Sequence, residues 1–393
     1  MTSRLEELIA ELCPNGVEYK ALKKCVFKID NIKWKNYNGN DKSYIDLSSV
    51  DIDRHIVICY QSINAVSAPS RAQQIIKKND VLFGTTRPML RRYCIIDDLY
   101  NDEICSTGFC VLRANPDVVL PRWIYHIIST NDFFAYIENN QNGASYPSIS
   151  DSLVKDFEIP VPPLEVQSEI VRILDTFTEL TAELTAELTA RKKQYEYYRD
   201  TLLTFDDNNP LHSLISRYCP NGVEYKTLKE ILTIKNGRDY KHLQEGKYPV
   251  YGSGGIMTYV SEYTYAEQSV LIPRKGSINK IYYVDEPFWN VDTIFYTIIR
   301  KNIAIPKYVY FCLLKEHLER YNTAGGVPSL TQSVLNDVTI PVPPLEVQRQ
   351  IVQILDRFDA LCNDLTQGLP AEIEARRKQY EYYRDQLLTF KRA

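Results

Sequence analysis

Three blocks of this sequence occur twice, in the same order, and that repetition limits what the chain can fold into more than any other feature. PNGVEYK stands at 14–20 and again at 220–226. IPVPPLEVQ stands at 159–167 and at 340–348, and RKKQYEYYRDTLLTF at 191–205 returns as RRKQYEYYRDQLLTF at 376–390. Runs of this length in one order mean a tandem duplication, so the 393 residues hold two copies of one plan. Each copy reads as a short amphipathic start, a long variable stretch and a helical tail. The variable stretches, about 20–155 and 226–337, look unlike each other. A kept frame around different inserts implies two related modules with two different targets.

The tails read as long helices. After IPVPP the apolar spacing changes from strand to helix period. Pro163 suits a first helical position, where its missing N–H costs nothing, and Glu165 suits the first turn of the helix dipole. Ile170, Leu174, Phe177, Thr181, Leu184, Leu188, Arg191, Tyr195, Tyr198, Leu202 and Phe205 then follow steps of four and three, a heptad stripe with two polar members. The spacing predicts a helix over 163–205, roughly 60 Å long, too long to pack inside either module. In the second tail Ile351, Leu355, Phe358, Cys362, Leu365 and Leu369, then Tyr380, Tyr383, Leu387 and Phe390, repeat the stripe. QGLPAE interrupts it, and Gly368 and Pro370 are expected to break or kink that helix.

The two stripes can satisfy each other. The expected fold is therefore α+β: two globular α/β domains separated by an antiparallel pair of long coiled-coil helices, with pseudo-twofold symmetry. The expected boundaries are 1–155 for the first module with its lead-in, 156–206 for the central spacer helix, 207–337 for the second module with its lead-in, and 338–393 for the C-terminal spacer helix.

Net charge is −4, which taken whole argues weakly against nucleic acid. Its distribution points the other way. Residues 20–155 and 226–337 each carry a net +3, and the remaining frame carries −10. A basic module can face phosphates, while an acidic frame suits a protein partner. No apolar run approaches the roughly 18 residues of a bilayer span. The acidic, amphipathic start MTSRLEELIAELC does not read as a secretory signal. Nine scattered cysteines without C-x-x-C exclude a disulfide scaffold and a zinc finger and fit a reducing cytoplasm. The histidines at 55, 126, 212, 242 and 317 lack metal-ligand spacing.

In the first module VLF and YCII read as strands around GTTRPMLRR, an arginine-rich loop. Ser70 and Arg71 precede it, Thr85, Thr86, Arg87, Arg91 and Arg92 lie in it, and Tyr146 and Ser148 stand in a second polar turn, NGASYPSIS. Such arginines suit either phosphate contacts or bidentate contacts to guanine. The second module keeps the order in other words. YPVYGSGGIMTY holds a glycine turn, and VLIPRKGSINKIYYV is a strand, a basic turn and a strand. Arg238, Ser253, Arg274, Lys275, Ser277, Asn279, Lys280 and Ser329 are its candidates for nucleic-acid contact. GSGG lacks the following Lys-Ser/Thr of a phosphate-binding loop. G-x-x-x-x-G-K-[ST], H-E-x-x-H, G-x-S-x-G and the Asn/Asp-Pro-Pro-aromatic tetrapeptide of amino-methyltransferases are all missing, so no catalytic constellation is expected and no metal site.

These features together resemble the specificity (S) subunit of type I restriction–modification enzymes over nearly the whole chain. The resemblance rests on the twice-occurring IPVPPLEVQ…ILD-x-F, the PNGVEYK lead-ins, APSRA…DVLF-x-x-x-RP, VLI-x-RKGS…FW-x-VDT and TAELTAEL at 181–188. It implies that each module reads one half of a split double-stranded DNA target. It also implies that the helices set the spacing and dock two modification (methyltransferase) subunits, with two restriction subunits able to join. Adenine methylation with S-adenosylmethionine, and ATP- and Mg-dependent restriction, would then belong to those partners and not to this chain. Leu164, Gln167, Tyr195, Tyr198, Leu345, Gln348, Tyr380 and Tyr383 are the candidates for partner docking, although tyrosines in such clusters also suit interhelical packing. The competing reading is a coiled-coil scaffold whose two modules bind other proteins.

Overall fold

A computed structural model describes residues 3–322, 324–364 and 366–393. The chain divides into two compact units, residues 1–186 with 372–393, and residues 187–371.

The first unit opens with helix α1 (Ser3–Leu12), whose apolar face sinks Leu5 into the core. Strands β1 (Glu18–Ala21), β2 (Val26–Phe27), β3 (Lys42–Ile45), β4 (Gln61–Ile63), β5 (Ala72–Ile75), β6 (Val81–Gly84), β7 (Tyr93–Ile95), β8 (Ile104–Ser106) and β9 (Phe109–Ala114) follow. β2 to β9 form two four-stranded sheets, ordered β2-β9-β6-β7 and β4-β3-β8-β5. β6 is buried along its whole length, as its unbroken apolar run requires of a central strand. Helices α2 (Pro121–Ile127), α3 (Asn131–Asn140) and α4 (Asp151–Asp156) follow, before β10 (Glu158–Val161) pairs back on β1. The core joins Phe83, Trp123, Phe133 and Phe134 to Ile170 and Leu174 of the next helix, α5 (Leu164–Leu202).

α5 runs for 39 residues, beginning one residue after Pro163 and ending three short of the expected 205. The carboxamide of Asn209 closes its end by donating to the carbonyls of Thr201, Leu202 and Thr204. No residue of the predicted stripe is exposed. Ile170, Leu174, Tyr195 and Leu202 are buried and the others half-buried, whereas Ala182, Glu183, Ala186 and Glu187 face solvent.

In the second unit come α6 (His212–Tyr218), β11 (Tyr225–Thr227), α7 (Leu228–Ile231), β12 (Leu232–Lys235), β13 (Glu245–Gly252) and β14 (Gly255–Val260). β15 (Ser269–Pro273), β16 (Tyr282–Val284), β17 (Trp289–Asn290), β18 (Ile294–Ile299) and α8 (Pro306–Lys315) follow, then α9 (Gln332–Asn336) and β19 (Thr339–Pro341). The sheet β12-β18-β15-β16 repeats the order β2-β9-β6-β7, and β14-β13-β17 repeats β4-β3-β8 with its parallel pair. The two inserts that look unlike in sequence therefore share one topology, apart from β5, which only the first has.

The second tail is two helices, α10 (Leu345–Asn363) and α11 (Leu369–Leu387). At Gly368 a Cβ would come within 2.6 Å of the Ala360 carbonyl oxygen and 2.7 Å of that of Asp364, so only glycine fits the break. Pro370 follows inside the first turn of α11. Leu365 of the predicted stripe lies outside the described residues. Each unit pairs α5 with one of these helices through the same aromatic contact. Phe177 stacks on Tyr383 at 5.5 Å in the first unit, and Phe358 on Tyr198 at 5.2 Å in the second.

Candidate nucleic-acid interface

In each unit two loops distant in sequence meet at one turn. In the first, the chain leaving β6 crosses the loop before α4. Thr86 bridges Ser148, and the Arg87 N–H donates to the Pro147 carbonyl at 2.7 Å. Arg87 has left-handed backbone (φ 48°, ψ 57°), which costs an L-residue roughly 1–2 kcal/mol. Its guanidinium lies 4.4 Å over the ring of Tyr146, which is 70% exposed. A strained, exposed arginine held by an exposed aromatic is a presented group, not a packed one. Arg91 is also left-handed and exposed, its guanidinium 4.5 Å over Phe134. Arg71 and Ser70 are exposed one contact further along, where the Thr107 N–H donates to the Arg71 carbonyl and Thr85 N–H to that of Gly108.

In the second unit the same junction forms from other residues. Lys275 bridges Ser329, the Gly276 N–H donates to the Pro328 carbonyl at 3.0 Å, and Leu330 N–H donates to Arg274. Gly276 occupies the backbone place of Arg87, with φ +83°. Lys275, Asn279 and Lys280 are exposed and Ser277 and Ser329 half-buried. Ser253, in the β13–β14 turn, reaches this cluster: its Oγ would lie 3.4 Å from a Cβ at Gly276. Arg238 is exposed, its backbone N–H donating to the Asn290 carbonyl at 2.9 Å.

Two expected contacts are corrected. Thr85 is 6% exposed and its hydroxyl donates to the Gly108 carbonyl at 2.9 Å, so it holds the turn and does not face a ligand. The Arg92 guanidinium is half-buried and donates to the Leu47 carbonyl, which removes it from the presented set. Arg274 is half-buried over Phe295 at 5.9 Å. Sequence reasoning missed the loop between β3 and β4, where His55 stacks on Tyr93 at 3.8 Å beside this turn. Burial first, then the Arg377 charge, pulls the His55 pKa down to about 4. No motif marked it.

Most of the expected docking residues are corrected as well. Gln167 and Gln348 are fully buried. Gln167 accepts from the Leu120 N–H and donates to the Val118 and Pro162 carbonyls; Gln348 does the same with Ile305, Ile303 and Pro343. They staple each module to its tail and have nothing left to offer a partner. Tyr195 is buried, Tyr198 and Tyr383 stack inside their helix pairs, and Tyr380 is half-buried with its hydroxyl on His126 Nδ1 at 2.9 Å. The exposed members of the two clusters are Tyr197 and Tyr382. Leu164 and Leu345 stay half-exposed at the helix starts.

Residues 17–191 and 220–375 match the family described as "Type I restriction modification DNA specificity domain". A Haemophilus influenzae protein that bears the name of a type I restriction enzyme specificity subunit is 33% identical over 290 residues, 68% of this chain and 72% of that one. The EcoR124I/EcoR124II specificity subunit of Escherichia coli is 36% identical over 276 residues, 62% of this chain and 65% of its own length. Among solved structures, the type I restriction–modification S subunit of M. genitalium superposes with a TM-score of 0.60 at 18% identity, over 95% of this chain and 97% of that one. A chain of a type I restriction–modification system solved for its complex assembly gives 0.63 at 23% identity, over 95% and 98%.

Proposed function

We propose, from the premise that this chain belongs to the type I restriction–modification DNA specificity family, that its two modules read the two halves of a bipartite double-stranded DNA target. The observation that carries the reading is the repeated junction. Each unit brings two loops to one turn and presents cations there: Arg87 and Arg91 in one, Lys275 and Lys280 in the other. Cations on a turn can neutralise phosphates, and an arginine can also bind guanine O6 and N7 together. A scaffold binding only proteins would not need this junction in both modules.

On this reading the chain carries no chemistry of its own. It works in the cytoplasm with two modification subunits, which bind S-adenosylmethionine and methylate adenine. Two restriction subunits, with ATP and Mg, can join. The helices of residues 156–206 and 338–393 act as an antiparallel spacer between modules 1–155 and 207–337. TAELTAEL lies wholly within α5. One added TAEL would lengthen the helix by about 6 Å and turn it by one turn plus roughly 40°. That rotation matches the 34–36° of about one base pair, so the unread spacer of the target is expected to grow by one pair.

Methylome mapping tests the reading. Replacing residues 226–337 by the matching module of a relative is expected to change one half of the methylated motif and leave the other. Change in both halves, or in neither, would refute it.

A further inference from the structure

We infer that the bare edge of the second lead-in, at Val223, is a strand-accepting docking site for a segment of another polypeptide that presents an aromatic residue followed by two cations. The inference does not depend on the DNA reading.

PNGVEYK occurs once in each unit, and the two copies differ in what covers them. In the first unit residues 390–393 lie along it. The Val17 N–H donates to the Lys391 carbonyl at 2.9 Å, and the Ala393 N–H donates to the Val17 carbonyl at 3.0 Å. The Tyr19 hydroxyl donates to the Phe390 carbonyl at 2.9 Å. Arg392 lies 4.3 Å over the Tyr19 ring and pairs with Glu158 at 2.7 Å. A Cβ at Gly16 would meet the Lys391 carbonyl oxygen at 2.4 Å, so the seat fits its occupant closely.

The second unit builds the same seat, and among the described residues no segment lies along it. Gly222 keeps the left-handed turn, φ +87° against +98° at Gly16. β11 pairs with β19 as β1 pairs with β10. Yet among the described residues nothing beyond its own chain neighbours lies within 4 Å of a Cβ at Gly222. Among the described residues no hydrogen bond reaches the backbone of Val223, and Tyr225 is 60% exposed. A cleft of about 360 Å³, lined by Tyr218, Gly222, Glu224, Pro344 and Leu345 among others, opens beside it. An unpaired N–H and C=O at a strand edge form a template for strand addition.

Charge decides the occupant. After Phe205, the counterpart of Phe390, the chain runs Asp206-Asp207-Asn208 where the first unit has Lys391-Arg392-Ala393. Those acids are exposed and would meet Glu224, itself exposed. The Tyr225 ring and Glu224 suit cations, as Tyr19 suits Arg392. A second copy is the weaker occupant, because its own 390–393 is already seated intramolecularly, at high effective concentration.

The test uses the full chain and a labelled peptide of residues 386–393, QLLTFKRA, followed by fluorescence anisotropy. One saturable site is expected. Val223→Pro, which removes the N–H donor, should weaken it at least tenfold. Thr339 stands at the register place of Glu158, so Thr339→Glu should tighten binding several-fold at low salt. A peptide with Glu in place of both cations should not bind. Absence of saturable binding to the Thr339→Glu chain would overturn the inference, as would binding that Val223→Pro leaves unchanged. Self-association of the chain that Val223→Pro abolishes would assign the edge to a second copy and overturn the stated occupant.

Discussion

The two units solve one packing problem with different chemistry where the module meets its tail. In the first, His126 is buried with Nε2 on Asp175 at 2.8 Å and Nδ1 facing the Tyr380 hydroxyl. Burial lowers the His126 pKa against the pull of Asp175, so the ring is neutral, donating from Nε2 and accepting from Tyr380. In the second, Phe311 fills the place of His126, Lys307 pairs with Asp356 as Arg122 pairs with Asp175, and the buried Tyr195 hydroxyl finds no partner among the described residues. The anchors beside them are the same: Trp123 Nε1–H donates to the Pro160 carbonyl and the Tyr308 hydroxyl to that of Pro341. Backbone-directed staples are shared by the two copies, while the side-chain network has diverged. A carbonyl offers the same acceptor whatever the sequence, but a histidine–tyrosine pair must change together.

That contrast can be broken in four ways, from the largest expected effect downward. Acid should separate the units. His126 is buried and His55 half-buried in the first, while His212, His242 and His317 are exposed in the second. Both of these rings titrate below the unfolded value of about 6.5. The unfolded chain therefore binds more protons below that pH, and the stability present above 6.5 is lost as pH falls. His55 alone should cost the first unit about 3 kcal/mol by pH 4, at roughly 1.4 kcal/mol per unit. Hydrogen exchange resolved by segment would show it, and equal losses in both units would contradict it.

The staples should behave alike. Gln167→Leu and Gln348→Leu each strand three backbone groups and should each destabilise their own unit by about 3 kcal/mol. Unequal costs in denaturant titrations would mean the two seats are less similar than their hydrogen bonds. Next, His126→Phe copies the second unit into the first. It should cost about 2 kcal/mol by leaving the Tyr380 hydroxyl only its longer contact with Ser129 Oγ at 3.3 Å, and adding Tyr380→Phe should recover part of that loss. A single substitution without cost would remove the histidine network from the stability of the unit.

The smallest effect on folding comes from the turn that carries Arg87. Arg87→Gly installs the residue that stands at Gly276 and relieves the left-handed strain, so stability should hold or rise by about 1 kcal/mol. Recognition at one position of the first half-site should relax by about 1–3 kcal/mol if Arg87 binds guanine. If it binds phosphate, all sequences should weaken alike and the salt slope should fall by about one. DNA-binding titrations across salt concentrations separate the two, and no change in either would move the reading surface off this turn.

Local pattern was enough for the duplication, the helix stripe and its break at Gly368–Pro370, the strand–turn–strand around each basic loop, and the basic charge of both modules. These properties are carried by neighbours along the chain: apolar periodicity, glycine and proline geometry, and charge count. The common topology of the unlike inserts was not legible, because a sheet order depends on which strands meet and not on which residues they contain. Side-chain exposure was not legible either. Gln167, repeated in both copies, looked like a docking residue, yet repetition preserves a buried staple as faithfully as a surface. The presentation of Arg87 on Tyr146, the withdrawal of Arg92 onto Leu47, and the covering of Val17 but not Val223 each join residues far apart in sequence. Only folding brings them within hydrogen-bonding distance, so only the tertiary structure decides which of these similar residues is free to act.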